Sequence, residues 1–399
     1  MKTLIKNKDK YLNELPEEDD QGRIHMVANL LFCYASNFPK VDILEINKSI
    51  EKQYELYLNY EYELMDSIQF CDNDHLARLV QAVYLFFFDK CWEVINRLEH
   101  KTRDEKDTLD SYHLTKIIRG FTRFKTRNGV GRNKTFVQLE QPIHDNFDNF
   151  DIRSLSEVMY AYGFREQGNP ELHEKFLKRI LDQDELMDHQ TVSNLLYYAM
   201  FTDNTDEAIW TKIIQNNLQN DAFIPVTHYT PFKMSKFYLR HHFPDLDISD
   251  YYSKFFYPER YFNTNIRDNK VAMDQSKVDF IQYLVGNFFL YSVDYVPFHN
   301  LFLLHHCFMD QKIAINFFAN HEMLPQEHRI SARQKLDGKI MGYEGWEVLN
   351  VTQKEHESMI REERNEFYRA WITTAKERQY EKGIMSRDPP LYKLIEQSQ

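Results

Sequence analysis

Glycine and proline are scarce in this chain, at 11 and 12 of 399 residues. Tight turns between strands consume both, and phosphate-cradling loops consume glycine, so the shortage points to helices. Neither a GxGxxG nor a Walker-type GxxxxGK motif occurs, which excludes the simplest nucleotide-binding arrangements. Cysteine is rarer still: Cys33, Cys71, Cys91 and Cys307 are scattered without CxxC spacing. They read as free thiols in a reducing compartment, mostly buried as small apolar residues. The triplet His305-His306-Cys307 invites a metal reading, but adjacent side chains point in different directions and no second ligand pair stands at zinc-site spacing. No metal and no cofactor is expected.

Long apolar runs are also lacking. Leu79 to Phe88 is too short to cross a bilayer, and Phe280 to Phe308 is broken by Gln282, Asn287, Asp294, Pro297 and His299. No transmembrane segment is expected. No Ser-His-Asp or Cys-His motif stands out, and no carboxylate pair is marked for acid–base work, so the chain does not read as an enzyme. His189, His228, His241 and His242 read as surface or cap residues. The net charge of −12 argues against a dedicated nucleic-acid binder, because affinity there comes from neutralised phosphates. The first ten residues carry Lys2, Lys6, Lys8 and Lys10, but Glu17-Glu18-Asp19-Asp20 follows at once, a weak transit signal.

What the chain does have is a repeat. Two apolar residues, any residue, a small residue and another apolar one recur as Leu30-Leu31-Phe32-Cys33-Tyr34, Leu79-Val80-Gln81-Ala82-Val83, Ile117-Ile118-Arg119-Gly120-Phe121 and Val158-Met159-Tyr160-Ala161-Tyr162. A fifth copy, Leu195-Leu196-Tyr197-Tyr198-Ala199, has its small residue displaced by one. The last three steps are 38, 41 and 37 residues, inside the range of helical-pair repeats. The first step, 49 residues, is longer and reads as an insertion or extended helix over Asn47 to Glu63. Second apolar stripes follow at Trp92/Ile95/Leu98, Phe176/Ile180/Leu181 and Trp210/Ile213/Ile214, on spacings of one helix face. Asp151, Ser154 and Asp188 supply N-cap chemistry. The small residue would let the first helix of one pair approach its neighbour closely. From Phe223 to Arg267 prolines interrupt the pattern, and Phe280 to Phe308 reads as helical again, closing the array.

Past Asp310 the texture changes. Lys312 to Phe318 reads as a buried strand, Arg329 to Met341 as a helix with Gly342 as its C-cap, and Trp346 to Val351 as a second strand. A charged helix then runs from Gln353 to Lys382, with Phe367, Trp371 and Ala375 on one face. Strand, helix, strand, helix leaves room for parallel pairing. Trp346 and Trp371 read as packing residues.

In this order and spacing the region resembles a RAP domain. The matching residues are Lys312-Ile313-Ala314-Ile315, Lys335-Leu336, Gly342-Tyr343 and Trp346-Glu347-Val348-Leu349-Asn350-Val351. The helical array ahead of it is also similar to that family, which includes the FAST-kinase-like and octotricopeptide-like organellar proteins. The resemblance implies a mainly α fold: a helical-repeat solenoid of about 38-residue pairs with a small C-terminal α/β RAP-like module. The expected domains are 1–222, the array; 223–308, an aromatic-rich helical region closing it; 309–382, the RAP-like module; and 383–399, an extended tail. It also implies a mitochondrial location and RNA binding. The RAP fold is similar to restriction-endonuclease-like nucleases, which hold metal with acids on and beside the first strand. Here those positions are Asn316, Phe318 and Ala319, and the acidic-aromatic turn is reduced to Glu355-His356. Hard cations need carboxylates, so the module reads as a docking domain.

One charge feature remains. Lys116, Arg119, Arg123, Lys125, Arg127, Arg132 and Lys134 lie in a stretch without an acid, interleaved with Phe121 and Phe124, and Gly129 and Gly131 mark a loop. Such a stretch fits phosphate, of RNA or of anionic lipid heads, or is a solvated face paired with acids of a neighbouring repeat. The expected function is a scaffold or adaptor subunit contacting protein partners in a large mitochondrial assembly. The alternative is an organellar RNA-binding factor acting on rRNA or mRNA.

Overall fold

The computed structural model describes Met65 and residues 68–85, 92–122, 132–219, 229–248, 275–288, 293–299, 301–320 and 330–384. The chain is mainly helical, with one four-stranded sheet. Two compact units divide the described residues, one holding everything through Phe232 and the other everything from Lys233. The first repeat copy, at Leu30 to Tyr34, and the insertion at Asn47 to Glu63 lie outside the described residues.

Among the described residues the first unit is built of helices alone. They are α1 (Asn73–Leu85), α2 (Trp92–Asp104), α3 (Ser111–Thr122), α4 (Arg132–Asp145), α5 (Ile152–Arg165), α6 (Pro170–Leu181), α7 (His189–Phe201) and α8 (Glu207–Gln219). The helix α9 (Tyr229–His242) begins in this unit and continues into the second. The odd helices form one row, with α1 on α3, α3 on α5 and α5 on α7. The even helices form another, with α2 against α4 and α6 against α8.

The four described motif copies fall in the odd helices. Their apolar members Leu79, Val80, Ile117, Ile118, Val158, Met159, Leu195 and Leu196 are all buried. Small residues set the approach. A Cβ on Gly120 would lie 2.4 Å from Val80 Cγ1 and 3.1 Å from the Val80 carbonyl oxygen, so α1 and α3 meet where no side chain fits. Ala161 is fully buried in α5, and Gly163 faces Tyr198 and Phe201 of α7. The second stripes lie in α2, α6 and α8, where Ile95, Leu98, Phe176, Ile180, Trp210, Ile213 and Ile214 are buried; Leu181 is exposed.

Caps recur with the same step. Asp151 accepts from Ser154 N to start α5, and Asp188 accepts from Thr191 N to start α7. Ser154 is therefore the third residue of its helix, not its cap. A left-handed non-glycine residue closes both helices, Glu166 (φ 51°) at the cap of α5 and Asp203 (φ 54°) one residue past the cap of α7. In each case the next amide reaches back five residues, Gln167 N to Tyr162 O and Asn204 N to Ala199 O, closing the exposed carbonyls of the last turn.

The second unit holds α10 (Gln275–Phe288), β1 (Val293–Phe298), β2 (Phe302–Phe308), β3 (Ile313–Phe318), α11 (Ala332–Tyr343), β4 (Glu347–Thr352), α12 (Gln353–Ser358) and α13 (Arg361–Glu381). Sheet order is β1-β2-β3-β4, antiparallel except for the parallel pair β3 and β4. This corrects the helical reading of Phe280 to Phe308. Helix α10 stops at Phe288, and a hairpin follows with His299 in a left-handed turn (φ 48°). Aromatic and β-branched residues favour the strands, and Pro297, costly in a helix interior, is tolerated on the edge strand β1.

Each face of the sheet is covered. Ile315, Phe317 and Val351 join Phe280 and Leu284 of α10 and Tyr368 and Ile372 of α13 in one core. The opposite face meets α11, whose Gly338 sits close over Asn350 and Val348. Two boundaries differ from expectation. Gly342 lies inside α11, and the glycine that ends it is Gly345, at φ 85° with Trp346 N bonded to Met341 O. The charged helix is two helices, because Met359 and Ile360 are extended between α12 and α13.

Candidate functional site

The outer face of the odd helices gathers the most distinctive side chains of the first unit. On α3 the stripe is Tyr112, Lys116 and Arg119, at spacings of four and three. On α5 it is Arg153, Glu157, Tyr160 and Phe164, and on α7 Gln190, Asn194, Tyr197 and Phe201. Spacings of four, three and four put each set along one side of its helix. Equivalent positions therefore stand beside one another from helix to helix.

Polar ties knit the N-terminal half of this face. Arg119 donates to both carboxylate oxygens of Glu157 at 3.1 Å, and Asn194 Nδ2 donates to Ser156 Oγ at 3.1 Å. Arg153 lies 3.5 Å from Asp188. Burial works against the Asp188 carboxylate, but its bonds from Thr191 and the Arg153 charge outweigh that and lower its pKa. The first two ties join residues 38 apart, the step of the sequence repeat.

The C-terminal half is aromatic. Tyr160, Phe164, Tyr197 and Phe201 are all half-buried and touch one another. Tyr197 and Phe201 stack at 5.3 Å with an interplanar angle of 10°. Tyr160 lies 5.9 Å from Phe164, 5.7 Å from Tyr197 and 5.8 Å from Phe201, and Phe164 lies 6.0 Å from Phe201. The repeat pattern treated position 160 and its equivalents as "any residue", so the sequence reading missed this group. The signal was present: an aromatic at the variable position of two successive copies, with another four residues on.

The basic stretch divides. Arg119 is half exposed but ion-paired with Glu157 across the helix contact, and Lys116 sits over the Tyr112 ring at 5.7 Å. Lys134 is exposed on α4. Arg123, Lys125 and Arg127, and the side chain of Arg132, lie outside the described residues.

In the second unit the positions flagged by resemblance occupy the ends of the parallel strands. Asn316 and Asn350 are opposite one another, and Asn316 Nδ2 donates to Asn350 Oδ1 at 3.1 Å. One hydrogen bond thus joins two neutral carboxamides where a cation site would need charge. Phe318 and Ala319 are buried. Glu355 is used in a capping box, accepting from Thr352 N at 2.8 Å. His306 and Cys307 are buried on opposite faces of β2, His306 near Phe280 and Cys307 opposite Ala314. Among the described residues no group of three or more His, Cys, Asp or Glu is gathered to hold an ion.

His356 was read only as half of a weakened turn; it proves to be the centre of the second unit's polar core. It is buried, with Nδ1 3.0 Å from the Tyr368 hydroxyl and Nε2 3.1 Å from Arg364 Nη1. A guanidinium only donates, so Nε2 accepts and the proton of the neutral ring sits on Nδ1, donated to Tyr368. Burial and the Arg364 charge lower the imidazole to about 4, with Glu357 opposing. Burial raises the Tyr368 phenol. Neither group is poised to exchange a proton near neutrality. Gln379, fully buried on α13, donates to the Lys312 and Gly345 carbonyls at 2.8 and 2.9 Å and ties the helix to the strand starts. The inward stripe of α13 is Tyr368, Ile372, Ala375 and Gln379, whereas Phe367 is exposed.

No family model matches this chain, and no curated protein matches it significantly. Among the described residues no helix is long and apolar enough to cross a membrane.

Proposed function

We propose that this chain is a non-catalytic scaffold or adaptor subunit of a large mitochondrial assembly, such as a respiratory or ATP synthase complex or the mitoribosome. On this reading the first unit is a helical-repeat array and the second a RAP-like module. Recurrent N-caps, left-handed helix ends and ties 38 residues apart support the array. Two parallel strands joined through α11, with a helix after them, support the module. The mitochondrial setting rests on the resemblance to RAP-domain proteins. Repeat arrays expose long surfaces that contact partners without needing a pocket. The observation that carries the function is the pairing of Arg119 with Glu157: a half-exposed cation of the basic stretch is ion-paired with an acid of the neighbouring repeat.

The second reading is an RNA-binding factor, favoured by the acid-free basic stretch, in which Lys116 lies over the Tyr112 ring. Neutralising Arg119, Arg123, Lys125 and Arg127 together separates the two. The scaffold reading expects weak binding of the purified chain to single-stranded RNA at physiological salt, unchanged by the substitutions. Tight binding that is lost with them, together with a flatter salt dependence, establishes the RNA reading instead. Loss of binding to anionic vesicles, by about 1 kcal/mol per charge, assigns the stretch to lipid heads.

A further inference from the structure

Helix α12 has six residues and a single buried side chain, His356; Lys354, Glu355, Glu357 and Ser358 are exposed. Its buried attachment to the rest of the second unit therefore runs through one imidazole. Both ring nitrogens are engaged with α13, Nδ1 with Tyr368 at 3.0 Å and Nε2 with Arg364 at 3.1 Å. Against the ring stand Phe280 and Tyr283 of α10, edge to face at 5.1 and 5.0 Å, and Phe317 of β3 at 6.0 Å. Gln353, the first residue of the helix, also accepts from the Asn320 amide, but that bond is exposed to solvent. The segment is bounded on each side by extended backbone, at Thr352 before it and at Met359 and Ile360 after it. A helix this short does not persist in water without its packing.

We propose that α12 is an acid-released clasp, which protonation of His356 lifts from α10, β3 and α13 while the sheet and α13 stay folded. The geometry supplies the trigger. Nε2 accepts the Arg364 bond through its lone pair, and a protonated nitrogen has none to offer. The proton also sets an imidazolium beside a guanidinium. The titratable and charged groups facing the ring are Arg364 and Tyr368 of α13, Tyr283 of α10 and Glu357 of α12 itself, and of these Glu357 favours the cation. Burial and Arg364 lower the closed imidazole to about 4, whereas a lifted ring returns to the ordinary histidine value near 6.5. Between those values the lifted form takes up the proton that the closed form refuses. Lifting is therefore favoured about tenfold per pH unit on descending, up to about 300-fold, and gains no more once the closed form protonates too. It bares the edges of Phe280, Tyr283 and Phe317, an aromatic surface that acid makes accessible.

The test is amide hydrogen exchange of the full chain, read by mass spectrometry as protection relative to the intrinsic rate at each pH. Peptides over residues 353–360 should lose about 100-fold of their protection between about pH 6.5 and about pH 4.5. Low urea should leave that exchange unchanged, because lifting exposes little surface, whereas exchange over Tyr368 to Glu381 should rise with urea as global opening does. His356→Gln, which cannot take up the proton, should show the same protection over 353–360 at both pH values. Protection over 353–360 that is indifferent to pH overturns the proposal. So does protection that follows the α13 peptides in both pH and urea, since opening is then global, or a His356→Gln chain that keeps the parent's pH dependence. The first two outcomes are read on the parent chain, so they decide the matter even where the variant does not fold.

Discussion

Gly120→Ala should destabilise the helical unit by about 1–2 kcal/mol, although alanine is the better helix former by about 1 kcal/mol. The added methyl would lie 2.4 Å from Val80 Cγ1 and 3.1–3.2 Å from the Val80 carbonyl. A side-chain tip can turn away, but Val80 is fully buried and its backbone belongs to α1, so the two helices must separate. Gly286, in α10, supplies the control, because nothing lies within 4 Å of its missing Cβ. Gly286→Ala should be neutral or stabilise by up to about 1 kcal/mol. Urea unfolding followed by circular dichroism reads both. A stabilising Gly120→Ala would mean that α1 and α3 do not meet there.

The second large effect concerns acid. His356 is neutral in the fold, held near 4 by burial and Arg364, and an unfolded histidine titrates near 6.5. Between those values the unfolded chain binds a proton that the folded chain refuses, so stability rises with pH across the window. It should be complete above about pH 6.5 and fall by about 2–3 kcal/mol on descending to about pH 4, where the loss levels off. The groups facing the ring are Arg364, Tyr368, Tyr283 and Glu357. Protonation would place two cations together and remove the acceptor of the Arg364 bond. His356→Gln should be less stable at neutral pH and have a shallower slope between pH 4 and 6.5. Equal slopes in variant and parent would place the proton uptake elsewhere, with His173 and His299, both also lowered by burial, as the next residues to test.

How far the residues disclose this architecture varies by element. The odd helices were legible because their motif is apolar and short-range, and their N-caps are carboxylates at fixed offsets. Strands β3 and β4 were legible as apolar runs flanked by turns. The hairpin of β1 and β2 was not, since a dense aromatic run reads equally as a buried helix. The polar core of the second unit was hidden for a different reason. His356, Tyr368 and Gln379 have polar ends, and only the fold shows that His356 meets Tyr368 inside and that the Gln379 amide nitrogen donates to two carbonyls there. The aromatic group of α5 and α7 belongs to both categories: each ring is visible in the sequence, but their meeting depends on two helices packing in register. Cations at 116 and 119 were likewise visible, whereas the carboxylate that occupies Arg119 lies 38 residues away.

The measurement closest to the central claim is native mass spectrometry of the complex that co-purifies with the tagged chain from whole-cell lysate, with and without ribonuclease. The scaffold reading expects the chain in fixed stoichiometry with several protein subunits, unchanged by ribonuclease unless the assembly is the ribosome itself. A chain recovered alone, or with RNA and no protein subunit, would contradict it.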